Sequence, residues 1–149
     1  MTTDVKQAMA YPKLSHVHLK VNDIKSVKPF YEELFGMTVS DDLGTFVFLT
    51  NETTHHTLAL QQTPTQFSSA SQKLYHIAFE VNSEEELYGF ARRLRSSNIQ
   101  FSAVDHGISW AIYFNDPEGT GLELFLDRRG SPNGVPHWSG ESHKLIIPD

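Results

Sequence analysis

Leu14-Ser15-His16-Val17-His18-Leu19-Lys20-Val21-Asn22 returns sixty residues later as Leu74-Tyr75-His76-Ile77-Ala78-Phe79-Glu80-Val81-Asn82, with Leu, His, Val and Asn at the same offset. Self-similarity of this kind marks two copies of one structural unit. In both copies apolar and polar side chains alternate: Val17, Leu19 and Val21 against His16, His18 and Lys20, then Ile77, Phe79 and Val81 against His76, Ala78 and Glu80. A period of two belongs to a strand covered on one side only. His16 and His76 occupy equivalent starts of the two copies, which suits two imidazoles facing a shared cavity.

Working outward, each strand is followed by a helical pattern. In the first copy Ser26 is the expected cap, with Pro29 in the first turn, where its missing N–H costs little. Val27, Phe30, Tyr31 and Leu34 form the apolar stripe and Gly36 the stop. In the second, Ser83-Glu84-Glu85-Glu86 makes a capping box. Leu87, Phe90, Ala91 and Leu94 are its stripe, the helix runs to about Ser97, and Asn98 suits the position just past its end. Thr45–Thr50 and Thr54–Gln61 are expected as hairpin strands around Asn51-Glu52. The second copy offers Phe101–Val104, Ser109–Asn115 and Gly121–Asp127, the last two joined by the turn Asp116-Pro117-Glu118-Gly119. In the final strand Leu122, Leu124 and Leu126 face one way, and Glu123, Phe125 and Asp127 the other.

Thr63–Ser71, with Pro64 and three serines, is the expected linker between halves. The domain is therefore expected over residues 13–130, in modules of about 13–62 and 73–130, with 131–149 as an extension. That extension carries an apolar knot at Leu145-Ile146-Ile147 without helical or strand period, and is expected to wrap the body or a partner subunit.

A chain of 149 residues suits one compact domain with one core. The net charge of −6 and pI near 5.7 argue against nucleic-acid or anionic-membrane partners, which need clustered Lys and Arg, and leave small molecules. No apolar run has transmembrane length and the first residues lack a secretion signal, so a cytoplasmic protein is expected. Without cysteine there are no disulfides or thiolate ligands, and any metal rests on His, Asp and Glu.

His16, His76 and Glu123 each stand on the polar face of an alternating strand. Two imidazoles and a carboxylate are the donor set of a facial triad, which leaves three octahedral positions open for substrate, dioxygen or water. The competing reading makes them buried, hydrogen-bonded histidines and a surface carboxylate. Their repeat equivalence and common facing favour the metal.

These residues also carry a family resemblance. The frame of His16, Val21 and Asp23, the helix with Phe30-Tyr31 and Phe35-Gly36, the segment Tyr75-His76-Ile77-Ala78-Phe79-Glu80-Val81, and Tyr113-Phe114 followed by Asp116-Pro117, Gly119 and Leu122-Glu123-Leu124 together resemble the vicinal oxygen chelate superfamily over about residues 13–130. That superfamily includes glyoxalase I, fosfomycin-resistance proteins, bleomycin-binding proteins and type I extradiol dioxygenases. The resemblance implies an α+β fold of two βαβββ modules, curled into a mostly antiparallel eight-stranded cup around a divalent metal, and often paired as a homodimer, sometimes with exchanged halves.

Aligning Thr57-Leu58-Ala59-Leu60 with Gly121-Leu122-Glu123-Leu124 puts Ala59 where a glyoxalase I offers a further carboxylate ligand, so the resemblance shifts towards the dioxygenases and fosfomycin enzymes. The segment around His55-His56-Thr57 resembles the dioxygenase stretch whose histidine acts on bound oxygen, which implies His56. Strict alternation would put His55 on the face of Ala59 instead, unless the strand starts late or bulges. Asp105–Tyr113 resembles the segment supplying a substrate-side histidine and tyrosine, here His106 and Tyr113. The implied activity is extradiol cleavage of a small catechol or related vicinal diol by dioxygen, with Fe(II), or Mn(II) in its place, on His16, His76 and Glu123. Two other readings use the same scaffold: a Lewis-acid isomerase or thiol transferase, and a bleomycin-sequestering module that needs no metal.

Overall fold

The computed structural model describes residue 14 and residues 16–64 and 74–149; most of the expected linker lies outside the described residues. Among them the elements run β1 (Val17–Val21), α1 (Ile24–Phe35), β2 (Thr38–Asp42), β3 (Phe46–Thr50), β4 (Leu58–Gln62), β5 (Ile77–Glu80), α2 (Glu84–Ser96), β6 (Ser102–Asp105), β7 (Ser109–Asn115), β8 (Gly121–Asp127) and β9 (His143–Lys144). They form two sheets, ordered β1-β4-β3-β2 and β5-β8-β7-β6-β9. In each, the strand that opens the repeat pairs parallel with the last strand of its module, β1 with β4 and β5 with β8, and the other pairs are antiparallel. This is the expected α+β plan of two βαβββ modules, with β9 from the C-terminal extension added at the edge of the second sheet.

The helix ends show what local sequence decides. Ser83 caps α2, accepting from the Glu86 N–H at 3.1 Å, while the Glu86 carboxylate accepts from the Asn82 N–H at 2.7 Å. Asn98 follows its end with φ +55°. The expected cap at Ser26 is a correction: α1 begins at Ile24, and Asp23 is the cap, accepting from the Lys25 N–H at 3.1 Å. A distant group sets this earlier start, because the Glu118 carboxylate accepts from the N–H groups of Asn22 and Asp23 at 2.7 and 2.9 Å. Pro29 consequently lies inside the helix rather than in its first turn, on an exposed position.

β2 has no counterpart among the expected strands. It is a polar edge strand, mostly exposed and bulged between Val39 and Asp41, and its hydrogen bonds come from β3. β4 starts at Leu58, four residues later than its pattern suggests.

Both sheets turn their helix-covered faces into one core. Leu19, Leu60, Leu122 and Leu124 pack there with Val27, Tyr31, Leu87 and Leu94. The modules are locked together through α1: the Phe35 ring lies 4.3 Å from Phe79 and 5.5 Å from Phe90, and the buried Tyr31 hydroxyl donates to Asp116 at 2.9 Å. Asp116 is the turn residue, its other oxygen accepting from the N–H groups of Glu118 and Thr120. The faces that carry the polar side chains of the repeat therefore lie away from this core, one on each sheet. Among the described residues no helix is long and apolar enough to cross a membrane.

Candidate metal centre

On the second sheet, register brings the chemistry together. Glu123 pairs with Ala78 across the parallel β5–β8 contact and with Tyr113 across the antiparallel β7–β8 contact. His76, two residues before Ala78, points to the same side, and its Nε2 stands 2.8 Å from Glu123 Oε2. Glu123 is only 6% exposed, an unusual place for a carboxylate that would serve stability alone. The His76 Nδ1 is buried with no hydrogen-bond partner among the described residues. A ring placed purely to hold the fold would use both nitrogens; this one uses the nitrogen it shares with the carboxylate. Adjacent donors about 2.1 Å from one octahedral cation lie about 3 Å apart, so this pair fits two neighbouring positions of such an ion.

Tyr113 stands over the pair. Burial, with the Glu123 carboxylate adding to it, pushes the phenol up to about 12, so it is a neutral donor throughout the neutral range. Its hydroxyl meets His106 Nε2 at 2.8 Å, and His106 Nδ1 meets Ser142 Oγ at 2.7 Å. Tyr75, His76, Val104, His106 and Tyr113 line a cavity of about 570 Å³.

The first sheet presents the equivalent face with different groups. The register pairs Ala59 with His18 and with Phe48, as it pairs Glu123 with Ala78 and Tyr113. Ala59 thus occupies the position of Glu123, and at 1% exposure it is covered. The His16 ring lies 4.4 Å from that of His56, which is 4.9 Å from Phe48. Because β4 starts late, His56 is the member of its pair that reaches His16. Desolvation pushes the His56 imidazolium down, and His16, His55 and His18 push the same way, which favours the neutral ring at neutral pH. His55 turns to Asp41, with Nε2 2.7 Å from the carboxylate.

The chain brings His76, Glu123, Tyr113 and His106 together on one sheet and His16 with His56 on the other. Among the described residues no three His, Asp or Glu side chains converge closely enough within one chain to hold a metal. A separate cleft of about 500 Å³ runs beside β1 and β5, lined by His16, Val17, Ala78 and Glu80 but by neither His76 nor Glu123. Sequence reasoning missed Asp41, which lies in the unforeseen β2, and Ser142 and Trp138, which reach His106 from the extension. For the last two, the only signal was the apolar knot that follows them.

A model of the Glyoxalase/Bleomycin resistance protein/Dioxygenase superfamily matches residues 13–124. Biphenyl-2,3-diol 1,2-dioxygenase 3 from Rhodococcus globerulus is 29% identical over 138 residues, covering 89% of this chain and 73% of that protein. Glutathione transferase FosA from Serratia marcescens is 27% identical over 113 residues, covering 76% and 79%. Among solved structures, a mutant of the fosfomycin resistance protein FosX from Listeria monocytogenes, complexed with Mn(II) and 1S,2S-dihydroxypropylphosphonic acid, superposes with a TM-score of 0.62 at 22% identity, over 77% of this chain and 90% of that one.

Proposed function

The chain belongs to the Glyoxalase/Bleomycin resistance protein/Dioxygenase superfamily, whose members commonly bind a divalent metal, and from that premise we propose that it is an extradiol dioxygenase-like enzyme cleaving a small aromatic diol with dioxygen. The observation that carries this reading is the half-buried His76 ring paired with the buried Glu123 carboxylate beside the neutral phenol of Tyr113. A relative named as a biphenyl-diol dioxygenase, matched over most of both chains, supports the choice of chemistry. Fe(II) is the ion we propose, with Mn(II) as the substitute that the same donors accept.

His16 is the third ligand in this proposal, and a homodimer supplies it. One chain carries the imidazole half-site on one sheet and the His76–Glu123 half-site on the other, with both sheets backed onto a common core. A two-fold contact between copies then joins His16 of one protomer to His76 and Glu123 of its partner, forming two equivalent sites. Leu14, 87% exposed, and Tyr75, 86% exposed, are large side chains close in sequence to the ligands that such a contact would cover.

When bound, the metal supplies Lewis acidity and a path for electrons between diol and dioxygen. The protein's own groups do the rest. Tyr113 donates a hydrogen bond to a substrate oxygen where charge develops, and His106 backs it. The neutral His56 accepts a hydroxyl proton and later returns it, a role worth about 10²- to 10⁴-fold in rate. Ala59, unable to coordinate, keeps open a position that a carboxylate would fill.

Anaerobic reconstitution with Fe(II), followed by catechol or 2,3-dihydroxybiphenyl and air, tests the reading. A yellow ring-cleavage product formed catalytically with matched oxygen uptake is the expected outcome. Bound metal with no oxygen uptake across a panel of catechols would overturn it. Such a result would favour the second reading, Lewis-acid group transfer, which the likeness to a glutathione transferase and the same donor set support; metal-dependent consumption of glutathione is its assay.

A further inference from the structure

We propose that the C-terminal extension is a working part of the site, with Ser142 as the positioning residue that holds His106 through Nδ1 and keeps its ring hydrogen-bonded in either tautomer. The inference rests on the reading of His106 and Tyr113 as groups that face the substrate.

A neutral imidazole has one N–H donor and one bare nitrogen acceptor, and which is which depends on its two partners. His106 has a hydroxyl at each end, Ser142 Oγ at 2.7 Å from Nδ1 and Tyr113 Oη at 2.8 Å from Nε2. A hydroxyl both donates and accepts. The Ser142–His106–Tyr113 chain can therefore run in either direction without losing a bond, so Tyr113 is able to turn its hydrogen bond towards a substrate oxygen while His106 changes tautomer. A carbonyl or carboxylate in place of Ser142 would fix a single direction.

Ser142 is far from His106 in sequence, and the extension is fastened on both sides of the contact. Immediately after it, β9 pairs with β6 in the register Asp105–His143 and Val104–Lys144, and the Leu145 N–H donates to the Ala103 carbonyl at 3.1 Å. Farther on, Ile147 is buried and the Arg95 guanidinium donates to the carbonyls of Ile147 and Pro148. Before it, the Val135 N–H donates to the Gly107 carbonyl at 3.2 Å. Gly107 has φ +78°, and a Cβ there would stand 2.8 Å from Val135 Cγ2, so the two segments meet as closely as glycine permits. The Trp138 ring, held by its N–H to the Glu141 carbonyl, stands edge-on to His106 with centroids 6.3 Å apart.

The test compares Ser142→Ala and Ser142→Thr in the full chain, by the ring-nitrogen resonances of His106 and by turnover of the Fe(II)-reconstituted protein. Thr keeps the hydroxyl, and Ala removes it from an exposed residue that bears no core packing. The expected result is a shifted Nδ1 resonance in Ser142→Ala alone, with kcat lower by about 2- to 10-fold, KM nearly unchanged, and Thr restoring both. An Nδ1 resonance that does not move in Ser142→Ala, or equal losses in the Ala and Thr variants, would overturn the inference. The resonance needs no metal and no turnover. If no catechol is cleaved, the dioxygenase reading falls while the nitrogen shift still decides whether Ser142 holds the ring.

Discussion

Replacing Tyr31 with Phe removes one oxygen from the contact that joins the two modules. The Tyr31 hydroxyl is fully buried and donates to Asp116 at 2.9 Å, and burial, reinforced by the Asp116 carboxylate, pushes the phenol well above its ordinary value, so it remains a donor. The ring contacts with Phe30 and Phe35 survive in the variant, which isolates the hydrogen bond. A hydrogen bond to a charged acceptor contributes about 1.5–3 kcal/mol, and its loss leaves a lone pair of a carboxylate that is only 5% exposed without a partner. For a chain of this size that corresponds to a fall in Tm of about 3–12 °C. Asp116→Asn keeps an oxygen to accept from Glu118 and Thr120, so a double-mutant cycle between the two substitutions measures the pair itself. Calorimetry or chemical denaturation gives the result. A Tyr31→Phe protein within about 0.5 kcal/mol of the parent, with no coupling to Asp116, would mean that α1 of the first module does not dock on the turn of the second, and the placement of both half-sites would fall with it.

Three further outcomes follow from the site. His16→Ala and His76→Ala proteins, each deficient in metal alone, should regain about a quarter of the parent's metal content when unfolded together and refolded as a mixture, because only mixed dimers rebuild one site of two; no gain would remove the shared-site dimer. Tyr113 should titrate towards about 12, read as the phenolate absorbance lost in Tyr113→Phe. Since its pKa is raised on folding, its contribution to stability is full below about 10 and disappears as the pH climbs towards about 12; Glu123→Gln should lower the value only part-way, as burial is the larger cause. Ala59→Glu should leave metal content intact and cut turnover roughly tenfold or more by occupying an open position; unchanged turnover would break the equivalence of Ala59 with Glu123.

How much was legible in advance depended on whether the deciding contact was local. β7 and β8 match their expected bounds, and α2 follows its capping box, because alternation and capping act within a few residues. α1 is capped by Asp23 rather than Ser26 because Glu118, nearly a hundred residues away, holds the preceding turn. β2 was invisible because Thr38-Val39-Ser40-Asp41-Asp42 has a single apolar side chain, and an edge strand takes its order from a neighbour. At the site, alternation and repetition foretold the common face of His76 and Glu123. They were silent on how the sheet of His16 meets that face, since Phe35 and the Tyr31–Asp116 bond set the docking, and nothing in the periodicity of the extension pointed Ser142 at His106.

The duplication makes the differences between the modules as informative as their likeness. At equivalent positions the first sheet carries His18, Ala59 and Phe48 where the second carries Ala78, Glu123 and Tyr113. The carboxylate and the phenol thus stand in one module, while His16, His18, His55 and His56 collect in the other. In the proposed site one carboxylate offsets one charge of a divalent ion and leaves a net positive centre, which favours a substrate that arrives as an anion or becomes one on losing a proton. A second carboxylate at Ala59 would neutralise that centre and weaken its pull. The neutral ring of His56 then has a definite task, to take the proton that such a centre makes easy to lose, while adding no positive charge of its own before it does so.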